Sequence, residues 1–215
     1  MSPSLSALLA ELERAGAEND AKPGMDRADK MLNISRDVGE LLTVLVGATK
    51  PRRILELGTS NGYSTLWLAE AARLVGGGAR VTTVEQAEKK VALARSNFGR
   101  AGGLGELIQQ ETGDAGEYLR DLPAASIGFL VLDAGRAHYV AWWPELRRIL
   151  APGGLMIVDN AISHADELAE FMKTVREDSA GFLTALVSAG KGEWLVFKPS
   201  AADFAIELTS TPSTP

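Results

Sequence analysis

ILELGTSNGYSTLWLA, residues Ile54 to Ala69, is the stretch from which the fold of this chain can be read. Ile54, Leu55 and Leu57 form a short apolar run, residues 58–62 are small and turn-forming, and Tyr63 to Ala69 has the composition of a helix start. The pattern predicts a strand, a tight loop and a helix. Glycines in such a loop let a ligand approach the backbone, and the helix N-terminus offers unpaired N–H groups.

The order of the glycines narrows the choice of ligand. A dinucleotide fingerprint needs G-x-G-x-x-G under a pyrophosphate, whereas this loop runs Gly58-Thr59-Ser60-Asn61-Gly62, with Thr65 where a third glycine would fall. The pattern E-x-G-x-x-x-G, with Glu56 ahead of the turn, is similar to the first motif of S-adenosylmethionine-dependent methyltransferases. That cofactor carries an amino acid moiety and a sulfonium cation but no phosphate, so an acid near the turn is favourable. A glycine turn in some other α/β enzyme is the competing reading.

Composition sets outer bounds. With 215 residues, 46% of them hydrophobic and 23% charged, the chain can bury a sizeable core, and one domain is the expected count. A formal charge of −6 argues against electrostatic capture of nucleic acid and favours a small-molecule partner. The absence of cysteine excludes disulfides, zinc–thiolate sites and a thiol nucleophile. Apolar runs such as Leu41 to Val46 are far short of the roughly 20 residues a membrane helix needs. With no signal-peptide pattern either, a cytoplasmic protein with no membrane partner is expected.

Leu5, Leu8, Leu9 and Leu12 have helical spacing, and Lys22-Pro23-Gly24 breaks that helix. Ser35 is placed to cap a second helix, with Leu41, Leu42, Leu45 and Val46 on its apolar face and Lys50-Pro51 at its end. Residues 1–50 thus read as a helical lid or interface segment, in which Met31, Leu32 and Asn33 would lie near a ligand or simply pack. Residues 51–198 read as the cofactor-binding core, and residues 199–215 as a disordered tail.

Within the core, several strands end in acids. Val81-Thr82-Thr83-Val84 runs into Glu85-Gln86, and an acid ending the second strand of a doubly wound sheet can accept hydrogen bonds from ribose hydroxyls. Dinucleotide enzymes and methyltransferases share that device. After a third strand at Leu107-Ile108, Gly113-Asp114-Ala115 places an acid that can cap the helix that follows; the chain is also similar to methyltransferases in having an acid or amide here, which in them meets the adenine amino group. Phe129 to Leu132 has the unbroken apolar character of a central parallel strand and ends at Asp133. A helix expected over Pro144 to Leu150 and a turn at Pro152-Gly153-Gly154 lead to Leu155 to Val158, a strand ending at Asp159-Asn160.

Adjacent parallel strands would bring Asp133, Asp159 and Asn160 to one sheet edge, where three oxygen donors suit a hard divalent cation such as Mg²⁺. Alternatively, Asp133 binds substrate or cofactor directly and Asp159-Asn160 caps a turn. Ser163 and Asp166 have the spacing of a capping box for the next helix. Phe182 to Val187 and Glu193 to Phe197, joined through Gly190 and Gly192, read as an antiparallel hairpin. The expected fold is therefore α/β, a Rossmann-like, doubly wound seven-stranded sheet with a C-terminal antiparallel hairpin, the arrangement of class I methyltransferases.

Taken together, LELGTSNGYST (Leu55 to Thr65), VEQ (Val84 to Gln86), GDA (Gly113 to Ala115), LDAGRAHY (Leu132 to Tyr139) and PGGLMIVDN (Pro152 to Asn160) resemble the cation-dependent O-methyltransferases of the catechol and caffeoyl-CoA type. The resemblance runs from about Met31 to Lys198. It implies Asp133, Asp159 and Asn160 as metal ligands and Glu85 as the ribose acid. It also implies a cofactor site of Glu56, Gly58, Thr59, Ser60, Gly62, Tyr63, Ser64, Gln86, Asp114, Ala115 and Asp133. The implied reaction is cation-assisted methylation of a catechol-like or phenolic hydroxyl by S-adenosylmethionine, and the implied assembly is a homodimer.

One position departs from the family pattern. The family shows D-A-D-K, with lysine as proposed base, whereas this chain has Asp133-Ala134-Gly135-Arg136. Arginine cannot act as a base near neutral pH, although it can stabilise a developing phenolate. Proton removal then falls to solvent, to hydroxide on the cation or to a histidine, of which the chain has His138 and His164. His164, just past the Asp159-Asn160 strand end, is the candidate base, or else a partly exposed residue at a helix start. Trp142 and Trp143 read as core or interface residues rather than a substrate platform. The altered Gly135-Arg136 also leaves room for metal-independent methylation of another, anionic acceptor, or for a cofactor-binding module without turnover.

Overall fold

A computed structural model describes residues 1–200; the part of the expected tail beyond Ser200 lies outside the described residues. The strands are β1 (Arg53–Leu57), β2 (Arg80–Glu85), β3 (Ile108–Thr112), β4 (Ile127–Leu132), β5 (Leu150–Val158), β6 (Leu183–Val187) and β7 (Glu193–Phe197). They form one seven-stranded sheet in the order β3-β2-β1-β4-β5-β7-β6, with β7 antiparallel to β5 and to β6 and the other pairs parallel. This is the expected sheet with its terminal hairpin. Strand order reverses between β1 and β4, and the crevice at such a reversal is where open α/β sheets bind ligands.

The helices are α1 (Pro3–Asp20), α2 (Arg36–Thr49), α3 (Tyr63–Val75), α4 (Glu88–Arg100), α5 (Ala115–Asp121), α6 (Tyr139–Ile149) and α7 (Ala165–Arg176). Side chains alternate along each strand, and the alternation explains why β4 and β5 are apolar on both parities. Ile54, Phe129, Val131, Leu155 and Ile157 join Leu9, Leu42, Val46, Leu66 and Trp67 of α1, α2 and α3 in one core layer. Leu55, Leu57, Leu130, Leu132, Met156 and Val158 join Leu119, Trp143 and Phe171 of α5, α6 and α7 in the other. Glu56, Glu85, Asp133 and Asp159 continue the parity of the first layer, so the acids at the strand ends share one side of the sheet.

Local details depart from the sequence reading. Helix α6 starts at Tyr139 rather than Pro144, and Leu150 already belongs to β5. Pro144 lies inside the helix, and the residue four back, Val140, is on its exposed side. Ser163 does not cap α7: His164 occupies that position without a side-chain cap, and the Ser163 hydroxyl bonds instead to His164 Nδ1 at 2.8 Å. Ser35 stands at the cap of α2, but its hydroxyl is spent on the Asp37 carboxylate. The third strand begins at Ile108, Leu107 closing a 3₁₀ turn. No helix among the described residues is long and apolar enough to cross a membrane.

Candidate active site

A cavity of about 810 Å³ opens along the C-terminal edge of the sheet. Its floor is the β1–α3 loop. Gly58 and Gly62 hold positive φ angles of 102° and 84°, and Ser60 one of 48°. The conformation is fixed by main-chain bonds from Gly58 N–H to Val84 O (3.0 Å) and from Gly62 N–H to Thr59 O (2.8 Å). Gly62 is required by packing, since a Cβ there would sit 2.4 Å from the Phe98 ring.

At one end of the cavity stand Glu85, Gln86, Asp114 and Ala115. Glu85 is held rigidly: Oε2 accepts from the Ser60 N–H at 3.0 Å and Oε1 from the Ala87 N–H at 2.9 Å. Each carboxylate oxygen keeps a further lone pair for a ligand hydroxyl. Asp114 caps α5 by accepting from the Glu117 N–H at 2.9 Å, and it lines the cavity as well.

At the other end lie Asp133, Asp159, Asn160, Arg136 and His164. The main chain carries the ladder one residue past the strand ends: Asp133 N–H donates to Leu57 O at 3.0 Å and Asp159 N–H to Leu132 O at 3.2 Å. The buried Tyr139 hydroxyl then accepts from the Ala134 N–H at 2.8 Å and donates to the Ala134 carbonyl at 3.0 Å, locking the corner after Asp133. Burial and the neighbouring Asp159 push the Asp133 carboxyl well above its usual range. A further acid stands behind them: Glu193 is 1% exposed, and burial together with Asp159 raises it to about 10.

Such crowding of like charges in a poorly solvated place is relieved by a cation. Asp133, Asp159 and Asn160 supply only oxygen donors once the Asn160 amide, whose nitrogen now donates to Asp159, is turned about its terminal bond. That donor set fits a hard divalent ion. Among the described residues no group of three or more His, Cys, Asp and Glu is arranged to hold a metal, so the set rests on two carboxylates and an amide.

The remaining candidates are distributed unevenly. Glu56 does not line the cavity; it is 1% exposed, beneath the loop, and accepts hydroxyl bonds from Ser64, Thr65 and Thr83. Burial raises its pKa against the pull of those hydroxyls. Thr59, Tyr63 and Ser64 border a narrow cleft beside the main cavity. Arg136 is already paired, its Nε donating to Glu167 at 2.8 Å. His138 lines the cavity and stacks on Trp142, which lines it too, with ring centroids 5.3 Å apart, while Trp143 is core and donates to Asp178.

The segment before α2 covers the loop, as expected for Met31, Leu32 and Asn33, which line the cavity. Its fastening was not legible in the sequence: the Asp20 carboxylate accepts from the Met31 and Leu32 N–H groups at 2.8 and 2.9 Å, and Ser60 Oγ donates to Met31 O at 2.6 Å. Tyr139 and Glu193 were missed as well. Tyr139 stood inside a quoted motif, but nothing in its spacing announced a bond back to residue 134.

Residues 1–188 match the sequence model of the O-methyltransferase family. The chain belongs to that family. Among its relatives, a catechol O-methyltransferase of Mycobacterium tuberculosis is 35% identical over 137 residues, 64% of this chain and 60% of the relative. A catechol O-methyltransferase of Niastella koreensis is 34% identical over 142 residues, 65% and 62% of the two chains. These alignments span less than two thirds of either relative. Among solved structures, the O-methyltransferase TomG of Streptomyces achromogenes, in complex with SAM, superposes with a TM-score of 0.72 at 25% identity, covering 93% of this chain and 91% of that one. An O-methyltransferase of Bacillus cereus, in complex with SAH, gives 0.68 at 25% identity, covering 89% and 91%. The O-methyltransferase family match and the seven-stranded α/β sheet with a terminal hairpin expected from the sequence therefore agree.

Proposed function

We propose that this O-methyltransferase family member transfers a methyl group from S-adenosylmethionine to a hydroxyl of a small catechol-like or phenolic acceptor, assisted by a divalent cation. One observation carries the reading: a single cavity joins Glu85 and Asp114 at one end to Asp133, Asp159 and Asn160 at the other. The SAM and SAH complexes of TomG and the Bacillus cereus enzyme support the same cofactor, and the names of the two catechol O-methyltransferases support the acceptor class.

Glu85 would receive the ribose hydroxyls, Asp114 the adenine amino group, and the open backbone at Gly58 and Ser60 the rest of the cofactor. Asp133, Asp159 and Asn160 would hold the cation. When bound, S-adenosylmethionine supplies an electrophilic methyl group and the cation supplies polarisation of the acceptor hydroxyl. The chain's part is to hold acceptor oxygen and methyl carbon in line, which converts an encounter into a positioned reaction. His164 lines the cavity, and in the tautomer whose Nδ1–H donates to the Ser163 hydroxyl it keeps Nε2 as its basic atom.

The alternative of a metal-independent enzyme that traps an anionic acceptor on Arg136 has less support, because Glu167 already neutralises that guanidinium. Calorimetric titration with adenosylhomocysteine and with NAD, followed by catechol and caffeate methylation with Mg²⁺ and with EDTA, tests the proposal. Micromolar binding of adenosylhomocysteine alone and product formed only with Mg²⁺ are expected. Turnover undiminished by EDTA would remove the cation from the reaction, and absence of adenosylhomocysteine binding would remove the whole reading.

A further inference from the structure

Glu193 has no role in the reaction described so far. A glutamate this deeply buried is rare unless it is paired. Antiparallel register sets Val158 opposite Trp194, so one step further along the two strands Asp159 faces Glu193 on the same side of the sheet. Residues directly opposite on paired antiparallel strands carry neighbouring side chains, so the two carboxyl groups lie side by side, and the buried Glu193 Oε1 has no hydrogen-bond partner. Asp159 lines the cavity, whereas Glu193 does not.

The backbone makes this juxtaposition rigid. The hairpin loop before Glu193 accepts bonds from the segment after Asn160: Ala161 N–H to Gly192 O at 2.7 Å, and Ile162 and Ser163 N–H to Lys191 O at 3.1 and 3.0 Å. Gly192 allows the approach, since a Cβ there would lie 2.3 Å from Ile162. At present the Asn160 amide donates to Asp159 from one side, and Glu193 stands beside it on the neighbouring strand. Turning the Asn160 oxygen to a cation gives up the amide bond and leaves Glu193 as the neighbour.

We infer that Glu193 is a positioning residue for the cation site, its carboxyl group bonded to the rear of the Asp159 carboxylate so that Asp159 faces the cavity beside Asp133. The inference rests on the cation-assisted reading above. The role asked of residue 193 is to donate one hydrogen bond to the rear of Asp159, which an amide in its place can also do. Outer partners that orient a metal ligand typically change affinity by about 10- to 100-fold when removed.

The test is titration of the full chain with Mn²⁺ alone, followed by electron paramagnetic resonance, for the wild type, Glu193→Gln and Glu193→Leu, with adenosylhomocysteine binding measured in parallel. Glu193→Gln is expected to keep the Mn²⁺ dissociation constant within about threefold, and Glu193→Leu to raise it about tenfold or more, with adenosylhomocysteine bound equally by all three. Wild-type Mn²⁺ affinity in Glu193→Leu overturns the inference. So does a Gln variant as weak as the Leu variant, since charge rather than orientation would then be at stake, and so does parallel loss of adenosylhomocysteine binding, which marks a general structural role. A wild type that takes up no Mn²⁺ overturns the cation-assisted reading and this inference with it.

Discussion

Gly58 and Asp133 are packed main chain against main chain: a Cβ on residue 58 would lie 1.9 Å from the Asp133 carbonyl oxygen. The contact sits at the reversal of strand order, where Gly58 ends the β1 ladder and Asp133 the β4 ladder. Cofactor loop and candidate metal corner are thereby set by one backbone contact. Gly58→Ala would combine this clash with a φ of 102°, and is expected to cost at least about 2 kcal/mol of stability. Urea unfolding checks it, and a midpoint equal to wild type would show that the two loops can separate freely.

Glu85 is the second test of the loop. Its carboxylate holds the Ser60 and Ala87 N–H groups, so it is oriented before any ligand arrives. Glu85→Ala is expected to weaken adenosylhomocysteine binding by roughly 1.5–3 kcal/mol, the range for a hydrogen bond to a charged group. Glu85→Gln, which retains an acceptor oxygen, should fall between that variant and wild type. An unchanged dissociation constant by calorimetry in Glu85→Ala would end the ribose assignment.

The strand-end acids were legible because strands announce themselves: an apolar run followed by Glu85, Asp133 or Asp159 fixes both the element and the edge it reaches. Period-two alternation then puts these acids on one side without any knowledge of the tertiary contacts. Glu56 shows the limit of such reading. Its place in the motif suggested a ligand contact, but its parity turns it toward α3, where the hydroxyls of Ser64 and Thr65 meet it. Asp20 and Glu193 were invisible for another reason. Their partners are Met31 and Leu32 across a turn and Asp159 across a sheet pairing, and neither distance is encoded in local spacing. The start of α6 at Tyr139 was missed because Pro144 reads as a helix beginning, and only the packing of Tyr139 and Trp143 in the core carries the helix back past it.

Asp178 offers a test of acid stability well away from the cavity. Burial raises its pKa, but bonds from the Ala180 N–H (2.9 Å), Trp143 Nε1 (2.9 Å) and Arg147 (2.7 Å) outweigh this and leave it lowered. A depressed folded-state pKa contributes stability above the unfolded value of about 3.9 and loses it as pH falls through the folded value. Asp178→Asn should therefore cost about 1–2 kcal/mol at pH 7, allowing for the solvent-screened Arg147, and progressively less below about pH 4. A difference from wild type that stays constant down to pH 2 would contradict this account.

His164 is the sharpest test of how the acceptor loses its proton, because Arg136 cannot take one and is bound to Glu167. General-base assistance by a positioned imidazole is worth on the order of 10²-fold, and it matters only while the acceptor hydroxyl is still protonated. His164→Ala should therefore lower kcat by roughly that factor below the acceptor's own pKa and converge on wild type above it. Ser163→Ala, which removes the partner of Nδ1 at 2.8 Å, should reproduce a smaller part of the loss with the same pH shape, since it disturbs only the tautomer and orientation of the ring. Rate profiles for His164→Ala and wild type that run parallel across the acceptor's pKa would assign the proton to solvent and leave His164 as a wall of the cavity.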